Sequence, residues 1–313
     1  MNDKTNMQAK KILGLACGRK NGNSEILLKE ALMGADELGL GINSEIIRLM
    51  DLKIQPCRGC QACGGPGADS KDNKCILHDD VEWILEKTML ENTALIISFP
   101  VYHLQVNGHL KMVMDRMNHI FMNNMEIFNK TRVGAIISVG GSGEDWTTLA
   151  FSTANIFLQH TRKLVDQMQV NNAPLAGDVL FMDDALARAR ELGKNIAGAL
   201  MMPVDKVEYA GIKYDTACPV CHCNLLSIPA RLPEVFCPVC WTRGEIVKSG
   251  TGMKVKWDKK DIKYPRFSLE AHRAHFEDSS CFRSKFEEEN KDRFSQKREL
   301  MQKYINYGNI VKP

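Results

Sequence analysis

Short apolar runs alternate with longer amphipathic stretches between residue 11 and about residue 201 of this chain. The first apolar run, KILGLAC (11–17), ends at a glycine, which is typical of a buried parallel strand. The stretch that follows, SEILLKEALMGADELG (24–39), repeats its apolar residues at helical spacing and also ends at a glycine. The pattern therefore predicts a strand followed by a helix, with Asn23 or Ser24 as the N-cap.

The same pair of elements recurs along the chain. Further strands are predicted at 44–50, 94–100 and 132–141, with a weaker one near 175–181, and further helices at 79–92, 107–120, about 144–168 and 183–201. Five alternations of strand and helix predict a parallel sheet with helices on both faces, because right-handed crossovers place them there. The strand order most consistent with this α/β pattern is 2-1-3-4-5, that of doubly wound flavodoxin-like folds.

The pattern changes after Pro203. Short β-prone pieces, EIVKSG and MKVKW, lie near two CPVC tetrads whose cysteine pairs are typical of metal sites. A charged, helix-prone stretch with phenylalanines at intervals follows. The sequence thus predicts a flavodoxin-like domain at 1–203, a small metal-binding β module at 204–262 and a helical C-terminal extension at 263–313.

Composition and charge narrow the class of protein. The 313 residues are 44% hydrophobic and 25% charged, as in ordinary globular proteins. A formal net charge of +3 gives no electrostatic footprint for nucleic acid or membranes. No apolar run approaches the roughly 20 residues that span a bilayer, and the polar N-terminus predicts no signal peptide. We expect a cytoplasmic protein that binds neither nucleic acid nor membranes.

Eight of the eleven cysteines fall into two compact groups, Cys57, Cys60, Cys63, Cys75 and Cys218, Cys221, Cys237, Cys240. In a reducing cytoplasm such groups favour metal or redox chemistry over structural disulfides. Of the other three, Cys17 is expected to be a small buried residue, and Cys223 and Cys281 are expected not to be ligands.

The second group has the spacing of a tetrahedral metal site, with fifteen residues between Cys221 and Cys237. Zinc would stabilise a module too small to bury a sufficient core. Iron would give a rubredoxin-like centre that carries one electron. His222 and Trp241 stand where rubredoxin pairs typically have glycine, so zinc is favoured.

The turn after the first strand, ACGRKNGNSE (16–25), precedes a helix. Backbone N–H groups at a helix N-terminus favour a phosphate, and Arg19, Asn21, Asn23 and Ser24 offer side-chain donors. The alternative is an ordinary polar turn.

Three segments resemble the NADPH-dependent FMN reductase family. CGRKNGNS (17–24) resembles its phosphate loop, SFPVYHLQVNGHLKMVMDR (98–116) its second loop and helix, and ISVGGSGED (137–145) its glycine-rich third loop. The sequence departs from the family at Cys17 and Gly18, where serine and proline are usual. The resemblance implies an FMN enzyme that is reduced by NAD(P)H or a protein donor, as a homodimer or homotetramer with FMN at the subunit interface.

The resemblance also implies which residues bind FMN. The first loop would hold the phosphate, and the second and third loops would flank the ring. These residues are Cys17, Arg19, Asn21, Asn23, Ser24, Pro100, Val101, Tyr102, His103, Leu104, Gly140, Gly141, Ser142 and Gly143. Tyr102 and His103 are the candidates nearest the flavin, although a loop aromatic and a surface histidine would look the same. No catalytic residue is assigned.

The segment CRGCQACGGPGADSKDNKC (57–75) resembles the cysteine motif of the iron–sulfur flavoproteins, relatives in the same superfamily. The resemblance implies a 4Fe–4S cluster that passes electrons from ferredoxin to FMN. Eleven residues separate Cys63 from Cys75, more than is usual there. A structural or vestigial group of cysteines, or a zinc site, remains open.

Three functions follow. The first is an FMN-dependent oxidoreductase that passes electrons from NAD(P)H to an unknown small-molecule or protein acceptor. The second is an electron-transfer protein fed by ferredoxin through the cluster. The third, a flavin-linked regulator whose zinc ribbon binds nucleic acid, is disfavoured by the low net charge.

Overall fold

The computed structural model describes residues 10–63, 74–229 and 233–305. The strands of its larger sheet are β1 Lys11–Ala16, β2 Asn43–Arg48, β3 Ala94–Tyr102, β4 Gln105–Val106, β5 Arg132–Val139 and β6 Arg162–Val170. Five of them pair in parallel in the order β2-β1-β3-β5-β6, and the short β4 pairs antiparallel with β3. Without β4 this is the predicted 2-1-3-4-5 order, so the flavodoxin-like fold class is confirmed.

Helices cover both faces of this sheet. They are α1 Asn23–Asp36, α2 Val81–Leu85 with a π-helical continuation over Glu86–Leu90, α3 Gly108–Met114, α4 Asn118–Asn123, α5 Ala150–Gln159 and α6 Asp183–Leu200. Short 3-10 turns lie at Leu49–Asp51, Met125–Asn129, Glu144–Trp146, Asp178–Phe181 and Val204–Lys206. One apolar core joins the sheet to α1 and α6, and the other joins it to α2, α3, α4 and α5.

Helices α1 and α6 pack so closely that their backbones are in contact. A Cβ atom on Gly193 would lie 1.7 Å from the Ala31 carbonyl oxygen, and one on Gly34 would lie 2.2 Å from that of Arg190. No larger side chain fits at either position.

The fifth strand lies earlier in the chain than predicted. The predicted helix over 144–168 ends at Gln159, β6 occupies Arg162–Val170, and the predicted strand at 175–181 is a loop that ends in a 3-10 turn. Both predictions were wrong because Arg162 and Asp166 interrupt the apolar pattern of β6, although both are fully buried. Arg162 donates to the carbonyl oxygens of Thr88 and Thr93, and Asp166 accepts from Arg188.

The cysteine-rich module forms a second sheet. Its strands β7 Glu234–Phe236, β8 Arg243–Ser249 and β9 Gly252–Trp257 pair antiparallel in that order, and α7 Lys259–Lys263 follows. The β-prone pieces of the sequence lie in β8 and β9, as predicted. The segment leading to this module runs along β6, where Ala210 N–H donates to the Val165 carbonyl oxygen at 2.8 Å.

The chain divides into two compact units, Met1–Leu269 and Glu270–Pro313. The final helices are α8 Leu269–Glu289, α9 Lys291–Phe294 and α10 Lys297–Ile305. The domain boundaries near 203 and 262 stay a prediction. Within the described parts of the chain, no helix combines the length and apolarity that crossing a membrane requires.

Candidate functional site

The loops after β1, β3, β5 and β6 enclose a pocket of about 360 Å³. Its lining residues are Gly18, Arg19, Gly22, Asn23, Ser24, Pro100, Val101, Tyr102, Val139, Gly141, Ser142, Ala173 and Pro174. The pocket lies outside the carboxyl ends of the parallel strands, which is where open α/β sheets bind their ligands.

One end of the pocket is the N-terminus of α1. Gly22 is the N-cap residue, and no side chain of the described residues caps the helix there. The backbone N–H groups of the first turn and the helix dipole therefore favour an anion, and Arg19 adds a positive charge. A Cβ atom on Gly18 would lie 2.5 Å from Ser24 Oγ and 3.1 Å from Pro100 Cδ, so this glycine keeps the pocket open where two loops meet.

Asn23 lines the pocket, but its side chain is bound elsewhere. Its Nδ2 donates to the carbonyl oxygens of Ala173 at 2.9 Å and Leu175 at 2.7 Å, and its Oδ1 accepts from Gly177 N–H at 2.8 Å. Asn23 thus holds the loop after β6 against α1. Asn23, which was predicted as a side-chain donor to a phosphate, therefore positions the loop that forms the fourth wall of the pocket.

Cys17 lies beneath the pocket and not in its lining. Its side chain is fully buried, and this burial raises the pKa of the thiol. Asn107 Nδ2 donates to the Cys17 carbonyl oxygen at 2.8 Å and so ties the first loop to the start of α3. A protonated, buried thiol packs and does not react.

The opposite end of the pocket is the hairpin between β3 and β4. Tyr102 lines the pocket and is 57% exposed. His103 and Leu104 form the two-residue turn with φ angles of 48° and 71°, both in the left-handed region. Hairpin turns of this kind usually carry asparagine and glycine, so the turn is strained. Strain of this sort concentrates at functional sites.

The third loop follows β5. Gly141 and Ser142 line the pocket, whereas Gly140 donates its N–H to the Val170 carbonyl oxygen at 2.8 Å. A Cβ atom on Gly140 would lie 2.3 Å from Thr147 Cγ2, so this position also requires glycine. Gly143 precedes the 3-10 turn at Glu144–Trp146.

The structure brings eight of the fourteen predicted residues into the pocket lining, namely Arg19, Asn23, Ser24, Pro100, Val101, Tyr102, Gly141 and Ser142. The other six lie in or directly beside the same loops, and all fourteen contacts with FMN stay predictions. Sequence reasoning missed Ala173 and Pro174 because the fifth strand was misplaced. It also passed over Gly18 and Gly22, although both stand inside the quoted phosphate-loop motif.

The second cysteine group forms a closed metal site. The sulfur atoms of Cys218, Cys221, Cys237 and Cys240 all lie within 4.8 Å of one another, and all four residues are buried. Cys218 Sγ lies 3.2 Å from Cys240 Sγ, and Cys221 Sγ lies 3.4 Å from Cys237 Sγ. Four thiolates about 2.3 Å from one zinc ion would stand about 3.8 Å apart, so the group fits a single tetrahedral ion.

One residue other than glycine occupies the left-handed backbone position directly after each cysteine pair. His222 and Trp241 have φ angles of 55° and 63°. The His222 ring stacks on Tyr209 with centroids 3.6 Å apart, and the Trp241 ring packs against Phe236 at 4.2 Å. These ring contacts stabilise a backbone conformation that glycine would adopt at no cost. Cys223 is buried in the same small core without joining the group of four.

The first cysteine group is more open. Cys57 and Cys60 are exposed, and Cys63 and Cys75 are half-buried. Among the described side chains, only the second group brings all its sulfur atoms within 4.8 Å of one another. Burial raises the pKa of the Cys63 thiol, and negative charge on Cys75, Cys57 and Cys60 raises it further.

Two residues between the first three cysteines have left-handed backbone conformations. Gly59 and Gln61 have φ angles of 63° and 61°, and Gly59 N–H donates to Cys57 Sγ at 3.5 Å. Residues 64–73, which make up most of the detour to Cys75, lie outside the described residues. Cys57, Cys60, Cys63 and Cys75 would be the ligands of an iron–sulfur cluster here, because four cysteine thiolates are the usual ligand set of such a cluster.

The sequence model of the NADPH-dependent FMN reductases matches residues 10–173. This protein belongs to that family. An iron–sulfur flavoprotein of Methanocaldococcus jannaschii is 35% identical over 199 residues, which cover 60% of this chain and 95% of that protein. The family of FMN reductases and iron–sulfur flavoproteins therefore includes this chain.

Two further likenesses extend over more of the chain. A flavone synthase of Aspergillus candidus is 25% identical over 260 residues, covering 75% of this chain and 78% of that protein. A solved flavone reductase superposes with a TM-score of 0.73 at 23% identity, covering 96% of this chain and 100% of the other. The second likeness shows a shared fold that includes the cysteine module.

Family membership indicates which ligand the pocket would hold. The protein is a flavodoxin-like flavoprotein of a family of flavin-dependent oxidoreductases, and FMN is the cofactor of that family. The residues present fit FMN, because an uncapped helix N-terminus with Arg19 suits its phosphate. Apolar walls at Val101, Val139 and Pro174 suit its ring.

Proposed function

We propose that this protein is an FMN-dependent oxidoreductase that takes electrons from NAD(P)H and reduces a small-molecule acceptor. The pocket carries the proposal, because it joins an anion-binding helix N-terminus to a partly exposed end beside Tyr102. FMN, when bound, supplies the hydride and electron chemistry, and the protein supplies binding and orientation.

The lining of the pocket indicates what the side chains do. Of the described residues that line it, only Arg19 and Tyr102 carry ionisable groups. Arg19 would hold the phosphate, and the backbone of Pro100 to Tyr102 would orient the ring. Such a site contributes by positioning the reactants and excluding water, and proton transfer by a side chain is not part of the proposal.

The electron donor is tested by anaerobic titration of the FMN-loaded protein. NADPH or NADH is expected to bleach the visible flavin absorption at a rate that saturates with nucleotide concentration. A protein that keeps its flavin oxidised with both nucleotides, but is bleached by dithionite, would contradict the proposal.

A second candidate donor is ferredoxin, acting through an iron–sulfur cluster at Cys57, Cys60, Cys63 and Cys75. The open arrangement of these thiols and the 35% identical iron–sulfur flavoprotein support it. Reduced ferredoxin would then bleach the flavin while the pyridine nucleotides leave it unchanged. The same titration therefore separates the two routes.

Planar aromatic ketones are the acceptor class to test first. The support is the flavone synthase, which is 25% identical over 75% of this chain. Under anaerobic turnover with NAD(P)H, a flavone should accept two electrons and two protons across its C2=C3 double bond, and the resulting change in absorbance should occur only with the FMN-loaded protein. Quinones serve as the comparison, because they would also accept electrons from a less selective pocket.

We also propose that a second copy of the chain covers the pocket. Five large apolar side chains in the surrounding loops are more than half exposed, namely Tyr102, Trp146, Leu175, Leu180 and Phe181. Exposed apolar residues concentrated in this way mark interaction surfaces. Phe181, at 89% exposure, is the residue to change: Phe181→Asp is expected to shift the mass from dimer or tetramer toward monomer in light scattering.

A further inference from the structure

A buried ion pair lies beside the first cysteine group and takes no part in the flavin pocket. Arg116, which follows α3, places Nη1 2.6 Å from Asp79 Oδ2, and both side chains are 2% exposed. Charges are buried in proteins only when they are paired and hydrogen-bonded, because removing them from water is costly. The pair therefore calls for an explanation.

The other acceptors of Arg116 all belong to the two segments that flank the cysteines. Its Nη1 donates to the Gln55 carbonyl oxygen at 3.2 Å, and its Nη2 donates to Cys75 Sγ at 3.3 Å and to the Leu77 carbonyl oxygen at 3.4 Å. Asp79 in turn accepts from Gln55 N–H at 2.7 Å. The guanidinium and the carboxylate thus join the chain before Cys57 to the chain from Cys75 onward.

This junction accounts for how Cys75 is held near the other three cysteines. Cys57, Cys60 and Cys63 are held together by the short turns between them, but eleven residues separate Cys63 from Cys75. A stretch of that length does not by itself place the fourth thiol. Arg116 does so, because its planar group offers five N–H donors in a rigid fork and can bridge both segments at once.

We propose that Arg116 is a positioning residue for an iron–sulfur cluster held by Cys57, Cys60, Cys63 and Cys75. It holds the Cys75 thiolate in register with the other three and donates an N–H···S hydrogen bond to it. The proposal rests on the cluster of the ferredoxin route described above. Hydrogen bonds and positive charge beside the sulfur ligands raise a cluster's reduction potential, so Arg116 also makes the cluster a better electron acceptor.

Arg116 further links this ligand to the flavin site. It stands two residues beyond α3, which follows the hairpin that carries Tyr102. The chain that forms one wall of the flavin pocket therefore leads through a single short helix to the residue that contacts Cys75.

The test compares Arg116→Met and Arg116→Lys with a matched control, Arg132→Lys. Arg132 is also buried, and it donates to the carbonyl oxygens of Met89 and Glu91, which do not belong to the segments that flank the first cysteine group. Each purified full-length protein is reconstituted anaerobically with ferrous iron and sulfide. Bound iron and labile sulfide, the EPR signal of the reduced state and the reduction potential are measured, with FMN content and thermal midpoint as checks of folding.

The wild type and Arg132→Lys are expected to hold the cluster with the same potential. Arg116→Met should lose iron to a chelator about 10- to 100-fold more readily, the usual effect of removing a residue that supports a metal ligand. Arg116→Lys keeps the charge but not the fork, so it should retain more iron than Arg116→Met, with an altered EPR signal and a lower potential. If Arg116→Met does not fold, Arg116→Lys decides.

Two results would overturn the proposal, and they are distinguishable. Folded Arg116 variants with wild-type iron content, EPR signal and potential would show that Arg116 does not position the cluster, while the cluster itself stands. A wild-type protein that takes up no iron and sulfide would remove the cluster, the ferredoxin route and the role of Arg116 together. Bleaching of the flavin by NAD(P)H would be untouched in either case.

Discussion

Replacing Gly18 by alanine should weaken FMN binding without unfolding the protein. The added Cβ atom would lie 2.5 Å from Ser24 Oγ, 3.1 Å from Pro100 Cδ and 3.4 Å from Pro100 Cγ. The Ser24 hydroxyl can rotate away, but the proline ring is rigid. The first and second loops must therefore separate by a few tenths of an ångström, and the two walls of the pocket move apart where FMN enters between them.

The cost can be judged from the effects of overpacking. One extra methyl group in a close-packed site typically costs about 1–3 kcal/mol. If that strain is relieved in the empty pocket and imposed only when FMN is bound, the dissociation constant rises about 5- to 150-fold. The thermal midpoint of the FMN-free protein should change little, because the empty pocket is open to water.

The assay is a titration of FMN into the FMN-free protein, followed by quenching of flavin fluorescence. Gly108→Ala is the matched control, because a Cβ atom on Gly108 meets no heavy atom within 4 Å. It should bind FMN as the wild type does. A Gly18→Ala protein with unchanged affinity would refute the reasoning, since the loop could not then hold the cofactor as closely as the structure indicates.

Three other changes test the supporting structure. Hydrogen bonding to Arg48 lowers the pKa of Glu25 from 4.5 to about 2. The pair therefore stabilises the fold above pH 4.5 and loses this effect as the pH falls toward 2. In Glu25→Gln, that part of the pH dependence of the unfolding free energy should vanish. Cys221→Ser should lose the metal ion of the second cysteine group, which we expect to be zinc, lower the thermal midpoint and expose the module to proteases, as measured by metal analysis and limited digestion. Gly193→Ala should lower the free energy of unfolding in urea by roughly 3 kcal/mol, because its Cβ atom would lie 1.7 Å from a backbone oxygen of α1. Gly198→Ala in the same helix is the control, because its Cβ atom would meet no heavy atom within 4 Å.

The sequence predicted the parts of the fold whose signal is local. Strands β1, β3 and β5 are continuous apolar runs, and such runs are typical of strands buried on both faces. Strand β6 was missed because its buried Arg162 and Asp166 look like surface residues in the sequence. Their partners lie far along the chain, at Thr88 and Arg188, so only the folded structure shows why charges are tolerated there.

The same limit applies to the candidate site. The three loops with motifs of their own were found, since a glycine-rich turn after a strand is visible in sequence. The fourth wall of the pocket, which contains Ala173 and Pro174, was not found. The Asn23 side chain holds this wall in place, and Asn23 and Ala173 are 150 residues apart in the sequence. The contacts of Arg116 were equally invisible, although the residue stands inside a quoted family segment.

The two cysteine groups contain four thiols each, and their geometry differs. The second group is buried, with sulfur atoms 3.2 Å apart in one pair and 3.4 Å apart in the other. Four thiolates around one ion stabilise a small module, and zinc is the metal that we propose for it. The first group exposes Cys57 and Cys60, and the Arg116 guanidinium is hydrogen-bonded to the sulfur atom of Cys75. Exposure lets a redox partner approach, and the cation favours an added electron. We therefore propose that electron transfer involves the first group, and we expect the second to keep its metal unchanged through reduction and reoxidation of the flavin.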